Sequence, residues 1–117
     1  MPYFAIVIPV FNKEKFVSNT LKSVLSQTFS DYEIIIVNDG STDNSEAVIK
    51  KFTDKRIQYF SKENEGVAVA RNFGIDKVKS EFVCFLDADD FWHLNFLETM
   101  HIYSQKYPEQ KVFACAI

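Results

Sequence analysis

The chain of 117 residues has few of the residues that form linkers or covalent cross-links. Glycine and proline number 3 each, which excludes a flexible linker or a low-complexity tract. The two cysteines, Cys84 and Cys115, lie in apolar stretches, so we expect two buried thiols and neither a disulfide nor a metal pair. The net charge of -3 gives no basic surface for a polyanion, which argues against nucleic acid as a partner.

Long hydrophobic runs and targeting signals are also missing. The apolar run 4–11 is too short to span a bilayer, and it has no charged leader and no small-residue cleavage site. We therefore expect a cytoplasmic location. The hydrophobic and charged fractions, 47% and 25%, are ordinary for globular proteins. Together with the length, they predict one domain with one core over residues 1–117.

Five short apolar runs predict β-strands. Three of them are apolar on both faces, which is typical of strands inside a parallel sheet. The predicted strands are Phe4–Ile8, Glu33–Val37, Ile57–Phe60, Phe82–Leu86 and Val112–Ile117. Because the last run stays apolar up to the final residue, we expect the chain to be the N-terminal part of a longer protein.

The segments between these runs have helical patterns. The predicted helices span 16–25, 43–52, 66–79 and 94–107. Asn12 is the expected cap of the first helix and Asp43 that of the second. The alternation of strands and helices predicts an α/β fold, Rossmann-like, with a mostly parallel sheet, helices on both faces and right-handed crossovers.

Ligands of such a sheet bind at the carboxyl ends of its strands, and three predicted loops at this edge carry polar residues. The loops span 9–12, 38–43 and 87–90. The pattern brings side chains that are distant in sequence onto one edge of the sheet. The chain has no Walker loop, no G-x-G-x-x-G and no nucleophilic triad, which excludes the common alternatives for such an edge.

The loop 87–90 places three carboxylates in four positions directly after a buried strand. At a separation of ~6 Å and an effective dielectric of ~20, each pair of like charges costs about 3 kcal/mol. In an extended loop, Asp87 and Asp89 point one way and Asp90 points the other. Such a pair suits Mg²⁺ or Mn²⁺. The alternative is a solvated acidic turn in which Asp90 caps the next helix.

Two further charged residues stand out. Asp39 follows a buried strand and precedes Gly40, so its carboxylate could accept a hydrogen bond from a base or a ribose; the alternative is a turn-forming role. Arg71 lies within the apolar stripe of a predicted helix, close to its N-terminus, where a cation favours an anionic ligand. The alternative is a structural ion pair with an aspartate of the same edge. Trp92 could line the site or pack in the core.

Five segments together resemble the inverting glycosyltransferases of family 2, which have the GT-A fold. The segments are 8–12 (Ile-Pro-Val-Phe-Asn), 23–28 (Ser-Val-Leu-Ser-Gln-Thr), 37–43 (Val-Asn-Asp-Gly-Ser-Thr-Asp), 64–72 (Asn-Glu-Gly-Val-Ala-Val-Ala-Arg-Asn) and 85–90 (Phe-Leu-Asp-Ala-Asp-Asp). The resemblance covers nearly the whole chain. Each segment alone is loosely defined, but their order and spacing are highly specific.

The resemblance implies a nucleotide-diphosphate sugar donor, commonly a UDP-sugar. By position, the nucleotide-binding residues would be Pro9, Phe11, Asn12, Asp39, Arg71 and Asp87, and the metal ligand would be Asp89. Asp39 would contact the base, Arg71 would lie beside it, and Asp87 would lie near the ribose. The cofactor would be Mn²⁺ or Mg²⁺. Phe11 stands where the family usually has tyrosine, so stacking on a base is kept and a hydroxyl contact is lost.

The family mechanism also needs a general base that deprotonates the acceptor hydroxyl. In the family this base lies downstream of the metal motif, and no residue after Asp90 is a good candidate. We therefore expect residues 1–117 to be the donor-binding domain, with the base beyond residue 117. The acceptor would be a saccharide or a lipid-linked saccharide, and peripheral membrane association through other segments is left open.

Two other classes of protein fit parts of the pattern. A non-catalytic nucleotide-sugar-binding module would have the same donor site without the base. A phosphoacceptor receiver domain has a similar length and an acidic Mg²⁺ site. A receiver, however, needs an acidic pair after the first strand and an aspartate after the third, where this chain has Val10-Phe11-Asn12 and Ser61-Lys62-Glu63.

Overall fold

A computed structural model of the chain describes residues 1–108. Four parallel strands and four helices alternate along these residues. The elements are β1 (Phe4–Val10), α1 (Val17–Leu25), β2 (Tyr32–Asp39), α2 (Ser45–Ile49), β3 (Ile57–Lys62), α3 (Val67–Ile75), β4 (Phe82–Phe85) and α4 (Phe96–Lys106). The first four predicted strands are confirmed, and the fifth, Val112–Ile117, lies outside the described residues.

The four strands form one sheet in the order β3-β2-β1-β4, and all neighbouring pairs are parallel. This is the order of the first strands of a doubly wound nucleotide-binding sheet. It differs from the 2-1-3 order of receiver domains, and this difference argues against that alternative. Because all strands run the same way, the loops that follow β1, β2 and β4 lie at one edge.

The core lies on both faces of the sheet because alternate residues of β1 and β2 point to opposite sides. Ile6, Ile8, Ile34 and Ile36 pack with apolar residues of α1, α2 and α4. Ala5, Val7, Ile35 and Val37 form a second cluster with Ala70 of α3. The predicted layering, with helices on both faces of a parallel sheet, is confirmed.

Two predicted helices end earlier than their patterns indicate. The helix predicted to Phe52 ends at Ile49, and the one predicted to Lys79 ends at Ile75. In both cases the backbone closes with i→i+3 hydrogen bonds, from Phe52 N to Ile49 O (3.0 Å) and from Val78 N to Ile75 O (3.1 Å). Such bonds tighten a last turn and satisfy its carbonyls without extending the helix.

The predicted capping role of Asn12 is wrong, and Asp43 bonds the first N–H of α2 from the position before the N-cap residue. Helix α1 begins after Phe16 and α2 after Asn44, and neither of these two N-cap residues makes a side-chain cap hydrogen bond. Asn12 Oδ1 instead accepts hydrogen bonds from the backbone N–H of Thr42 (2.8 Å) and of Asp43 (3.3 Å). Asp43 accepts from Ser45 N (2.9 Å) and, with its other oxygen, from Glu14 N (3.1 Å). Both side chains therefore tie the loop after β1 to the loop after β2.

None of the helices in the described part of the chain combines the length and the apolar character that crossing a membrane requires. Among the described residues Cys84 is a free thiol, and burial raises its pKa to about 12. The residue is half-buried, so the expectation of a buried thiol is met in part. Cys115 lies outside the described residues.

Candidate nucleotide-sugar site

A cavity of about 530 Å³ opens at the carboxyl edge of the sheet, between the end of β2, the loops that follow β1, β3 and β4, and the N-terminal half of α3. Its lining residues are Pro9, Val10, Phe11, Lys13, Asp39, Asn64, Gly66, Val67, Ala70, Arg71, Asp87, Ala88 and Asp89. Six of the seven residues that the sequence placed in the site are among them. The seventh, Asn12, is outside this lining and holds the neighbouring turn.

Asp39 ends β2 and is only 3% exposed. Its Oδ1 accepts hydrogen bonds from Glu65 N (3.0 Å) and from Lys62 Nζ (3.4 Å), and its Oδ2 accepts one from Gly66 N (3.0 Å). Lys62 also bonds Glu65, and these bonds to Glu65 and Asp39 raise the pKa of Lys62. The buried carboxyl group therefore lies beside a cation and two amide dipoles.

The turn at Gly40 lets a second loop pack against Asp39. Gly40 has φ +72°, and a Cβ there would lie 2.6 Å from the backbone N of Asn64. Asn64 Nδ2 in turn donates to the backbone carbonyl of Asp39 (3.1 Å). A side chain at position 40 would force the two loops apart, so the close contact depends on glycine.

The acidic loop forms a turn and is not extended as expected. A hydrogen bond from Asp90 N to Asp87 O (3.0 Å) closes it. The carboxylates of Asp87, Asp89 and Asp90 consequently converge, with one oxygen of each within 4.8 Å of the others. All three residues are exposed. The expectation that Asp90 points away from the other two is wrong, because it assumed the alternation of an extended backbone.

Two cations of the chain face these carboxylates. Arg71 Nη2 lies 3.0 Å from Asp87 Oδ1, and Lys13 Nζ lies 3.4 Å from Asp89 Oδ2. The ion pair of Arg71 with an aspartate of this edge was the structural alternative at that position, and it is present. Arg71 Nε is shielded from solvent and has no hydrogen-bond partner in the described part of the chain. A buried N–H without a partner is suited to donate a hydrogen bond to an acceptor atom of a ligand.

The acidic turn has the donor chemistry of a hard divalent cation. Mg²⁺ and Mn²⁺ prefer carboxylate oxygens and bind through a few of them together with phosphate oxygens. The converging oxygens of Asp87, Asp89 and Asp90 fit this preference. The fit includes Asp89, the ligand expected from the sequence, and adds Asp90.

Some lining residues were not identified from the sequence. Lys13 lies on the turn between β1 and α1, and its backbone N donates to Ser45 Oγ (2.9 Å), which holds it at the cavity. Asn64 and Gly66 belong to a matched segment but had no assigned role. The signal for all three was available, since each lies in or beside a loop at the carboxyl edge.

Trp92 belongs to the core and does not line the cavity. It is buried and stacks on Phe96, with ring centroids 4.4 Å apart. His93 is exposed, and His101 packs its ring against Tyr3 and Phe29. Neither histidine lines the cavity.

The fold and the site define a parallel α/β domain with a cavity and an acidic turn at the carboxyl edge of its sheet. Residues 5–114 match the family described as Glycosyl transferase family 2, and the chain belongs to that family. A glycosyltransferase of Rickettsia bellii named as uncharacterized is 46% identical over 95 residues, which is 80% of this chain and 14% of that protein. Glycosyltransferase GlyA of Streptococcus pneumoniae is 39% identical over 98 residues, 82% of this chain and 14% of that protein.

Among solved structures, S. aureus TarS 1-349 in complex with UDP superposes with a TM-score of 0.86 at 26% identity. The match covers 91% of this chain and 33% of that one. The same protein has been solved in complex with UDP-GlcNAc. The fold is therefore the GT-A fold that the sequence predicted. The chain spans about one seventh of the length of the first two relatives.

Proposed function

We propose that this chain binds the nucleotide-diphosphate sugar donor of a glycosyltransferase, with a UDP-sugar as the donor. The observation that carries the proposal is that buried Asp39 and two residues of the acidic turn, Asp87 and Asp89, line the same cavity. A nucleoside and a diphosphate need different chemistry, and this cavity offers both. The UDP and UDP-GlcNAc complexes of TarS support the choice of donor.

The base and ribose would lie at the Asp39 side. A carboxylate has about four acceptor positions, and three of those on Asp39 are occupied by Glu65 N, Lys62 and Gly66 N. Oδ2 keeps one position that can accept an N–H of a base. Phe11 is 44% exposed and lines the same cavity, which leaves a ring face for stacking.

Pro9 and Arg71 complete this side of the proposed site. Pro9 lines the cavity at the end of β1 without offering an N–H, so it contributes an apolar wall. The unpartnered Nε of Arg71 can donate to a base or ribose oxygen while Nη2 keeps its ion pair with Asp87. Asp87 is thereby held near the position proposed for the ribose.

The diphosphate would lie at the acidic turn. Asp89, with Asp87 and Asp90, would hold Mn²⁺ or Mg²⁺ there. The bound ion would supply charge neutralisation for the leaving diphosphate. Lys13 and Arg71 are the cations of the chain itself at this position. Each can exchange part of its contact with a carboxylate for a phosphate oxygen.

Transfer with inversion needs a base that takes the proton of the acceptor hydroxyl. The acidic groups that line the cavity are all in ion pairs: Asp39 with Lys62, Asp87 with Arg71 and Asp89 with Lys13. We therefore assign the base to a residue outside the cavity lining. The acceptor class, a saccharide or a lipid-linked saccharide, stays a prediction.

The same observation favours a second candidate function, a module that binds the donor without catalysing transfer. Such a module would need the carboxylates for binding and no free base beside them. The two candidates share the donor site and differ in turnover. They are separated by measuring release of the sugar, since a binding module leaves the donor intact.

Calorimetric titration with UDP, UDP-GlcNAc and GDP, each with and without Mn²⁺, tests the proposal. We expect the two uridine nucleotides to bind more tightly when Mn²⁺ is present and GDP to bind more weakly than UDP. Incubation with UDP-GlcNAc then measures free sugar and UDP over time. Absence of nucleotide binding under all conditions would overturn the proposed function. Release of sugar would exclude the binding module, whereas intact donor is expected of both candidates if the base lies beyond residue 117.

A further inference from the structure

The matched segment 23–28 lies away from the cavity lining and has no role in the proposed function so far. It belongs to the C-terminal part of α1 and the residues that follow it. Thr20, Ser23 and Gln27 are spaced three and four residues apart and therefore share one side of this helix. We call these three residues the α1 clamp, because each bonds the segment 88–97.

Thr20 is the central residue of the clamp and is 1% exposed. Its Oγ1 lies 2.9 Å from the carbonyl oxygen of Ala88 and 2.5 Å from that of Asp90. The hydroxyl has one proton for these two carbonyls and for the more distant carbonyl of Phe16 (3.4 Å). The carbonyls of Ala88 and Asp90 belong to the residues on either side of Asp89, so the hydroxyl fixes the backbone from which the Asp89 side chain projects.

Ser23 and Gln27 extend the contact along the chain. Ser23 Oγ accepts a hydrogen bond from Trp92 N (3.1 Å). Gln27 Nε2 donates to the carbonyl of His93 (2.6 Å), and Gln27 Oε1 accepts from Leu97 N (2.9 Å). The amino group and the oxygen of the Gln27 side-chain amide therefore both bond backbone atoms of residues 93–97. The clamp fastens the segment from the acidic turn to the start of α4.

The acidic turn needs such a support, because its three carboxylates repel one another and are exposed. Without a restraint, the turn would open and separate the charges. The bond between Asp90 N and Asp87 O holds the turn from inside, and the clamp holds the same turn from the side that faces α1. The two restraints act on different atoms of the same backbone.

We propose that the α1 clamp positions the acidic turn for a divalent cation and the donor diphosphate. The inference rests on the proposed function and assigns positioning residues to it. Thr20, Ser23 and Gln27 do not touch the cavity and act through the backbone of residues 88–97. Supporting groups behind metal ligands commonly change metal affinity by 10- to 100-fold when they are removed.

The test compares Thr20→Val, which keeps the branched shape without the hydroxyl, with Thr20→Ser, which restores the hydroxyl. Tyr32→Phe is the matched control, because the Tyr32 hydroxyl donates to the carbonyl of Val24 (2.8 Å) on α1 and this bond is far from the acidic turn. Mn²⁺ alone is titrated into each variant by calorimetry, and UDP is titrated without metal. Thermal unfolding reports the stability of each variant.

We expect Thr20→Val to bind Mn²⁺ about tenfold more weakly and UDP without metal as tightly as the unchanged chain does. Thr20→Ser should restore Mn²⁺ affinity, and Tyr32→Phe should lose stability alone. If Thr20→Val does not fold, Gln27→Met carries the same test, with a smaller expected loss. Equal Mn²⁺ affinity in all folded variants would overturn the inference alone. Failure of the unchanged chain to bind Mn²⁺ and UDP would overturn the proposed function and the inference with it.

Discussion

The two ends of β2 each carry a buried carboxylate on the face that packs against α3, and the one at the carboxyl end lines the cavity described above. Glu33 is 4% exposed at the amino end, and Asp39 is 3% exposed at the carboxyl end. Ile35 and Val37 lie between them on the same face and belong to the α3-side core cluster. The comparison separates what a buried acid does for the fold from what it can do for a ligand.

Glu33 is satisfied by neutral donors that fasten the connection between α3 and β4. Its carboxylate accepts hydrogen bonds from Ser80 Oγ (2.5 Å), Lys79 N (3.0 Å) and Gln58 Nε2 (2.8 Å). Burial alone raises the pKa of Glu33, but the hydrogen bonds from Ser80, Lys79 N and Gln58 together lower it below its ordinary value. Glu33 therefore has a structural role, because it holds the connection between α3 and β4 in place.

Asp39 fastens the connection between β3 and α3 in a similar way, with two backbone N–H groups and Lys62. Its surroundings differ, because Asp39 lines the cavity that the loops after β1, β3 and β4 enclose with the N-terminal half of α3. A buried carboxylate therefore has a structural role at the amino end of β2 and is a candidate ligand contact at the carboxyl end. The direction of the parallel strands, more than the residue type, makes the difference.

The largest expected effect distinguishes the two acids directly. Asp39→Ala leaves Lys62 and two backbone N–H groups without their carboxylate partner, and buried donors left unpaired lower the free energy of unfolding. We expect uridine affinity without metal to fall by roughly 100-fold, and stability to fall as well. Glu33→Ala should lose comparable stability and bind uridine as before. Calorimetry and urea denaturation measure both quantities, and equal uridine affinity in Asp39→Ala would remove Asp39 from the site.

A second substitution tests the acidic turn against an acid at the opposite edge. Asp89→Asn removes a charge-assisted contact worth about 1.5–3 kcal/mol, so we expect Mn²⁺-dependent UDP affinity to fall by roughly tenfold or more. Uridine affinity without metal should stay the same. Asp76→Asn, at the C-terminal end of α3, is the matched control and should change neither quantity. Calorimetric titrations of UDP and uridine with and without Mn²⁺ measure both affinities. An unchanged effect of Mn²⁺ on the UDP affinity of Asp89→Asn would contradict the assignment of Asp89 as a metal ligand.

The contact between the loops at Asp39 can be tested through two glycines. Gly40→Ala adds a Cβ that meets Asn64 at 2.6 Å, whereas Gly66→Ala has no heavy atom within 4 Å of the added Cβ. Both residues have positive φ, so both variants carry backbone strain of about 1–3 kcal/mol. We expect Gly40→Ala to be the less stable of the two in denaturant unfolding. Equal stability would indicate that the two loops do not pack closely in solution.

The smallest expected effect is a pH dependence at the amino end. Because the pKa of Glu33 is lowered by folding, its contribution to stability is present above its ordinary pKa of 4.5 and is lost as the pH falls through the lower folded value. Glu33→Gln should therefore flatten the loss of thermal stability below pH 4.5. Asp54, whose pKa is lowered to about 2 by its hydrogen bonds with Arg56, adds a decline at still lower pH in both proteins. Parallel melting curves against pH would argue against this role of Glu33.

The strands and the layer architecture could be predicted from the sequence, because apolar runs of strand length are a local signal. The placement of Asp39 and Asp89 at one edge could also be predicted, since it follows from the direction of parallel strands. The ends of α2 and α3 could not, because i→i+3 bonds replaced the continued helix. Neither could the role of Asn12, whose partners are 30 and 31 residues away.

The acidic turn and the α1 clamp illustrate the same limit. The expected extended loop was wrong because one backbone bond, from Asp90 to Asp87, reverses the chain. The helical spacing of Thr20, Ser23 and Gln27 was a local sign that they share one side of α1. Their partners could not be predicted, because the atoms they bond lie 66 to 70 residues further along the chain.

The central claim is that a nucleotide-sugar donor binds at the carboxyl edge of the sheet. Titration of the ¹⁵N-labelled chain with UDP and Mg²⁺, followed by two-dimensional amide NMR, tests it most directly. We expect the amide signals of Gly40, Gly66 and Asp89 to shift on binding, while those of Glu33 and Lys79 at the amino edge stay in place. Shifts confined to the amino edge, or saturating UDP and Mg²⁺ without any shift at Gly40, Gly66 and Asp89, would contradict the claim.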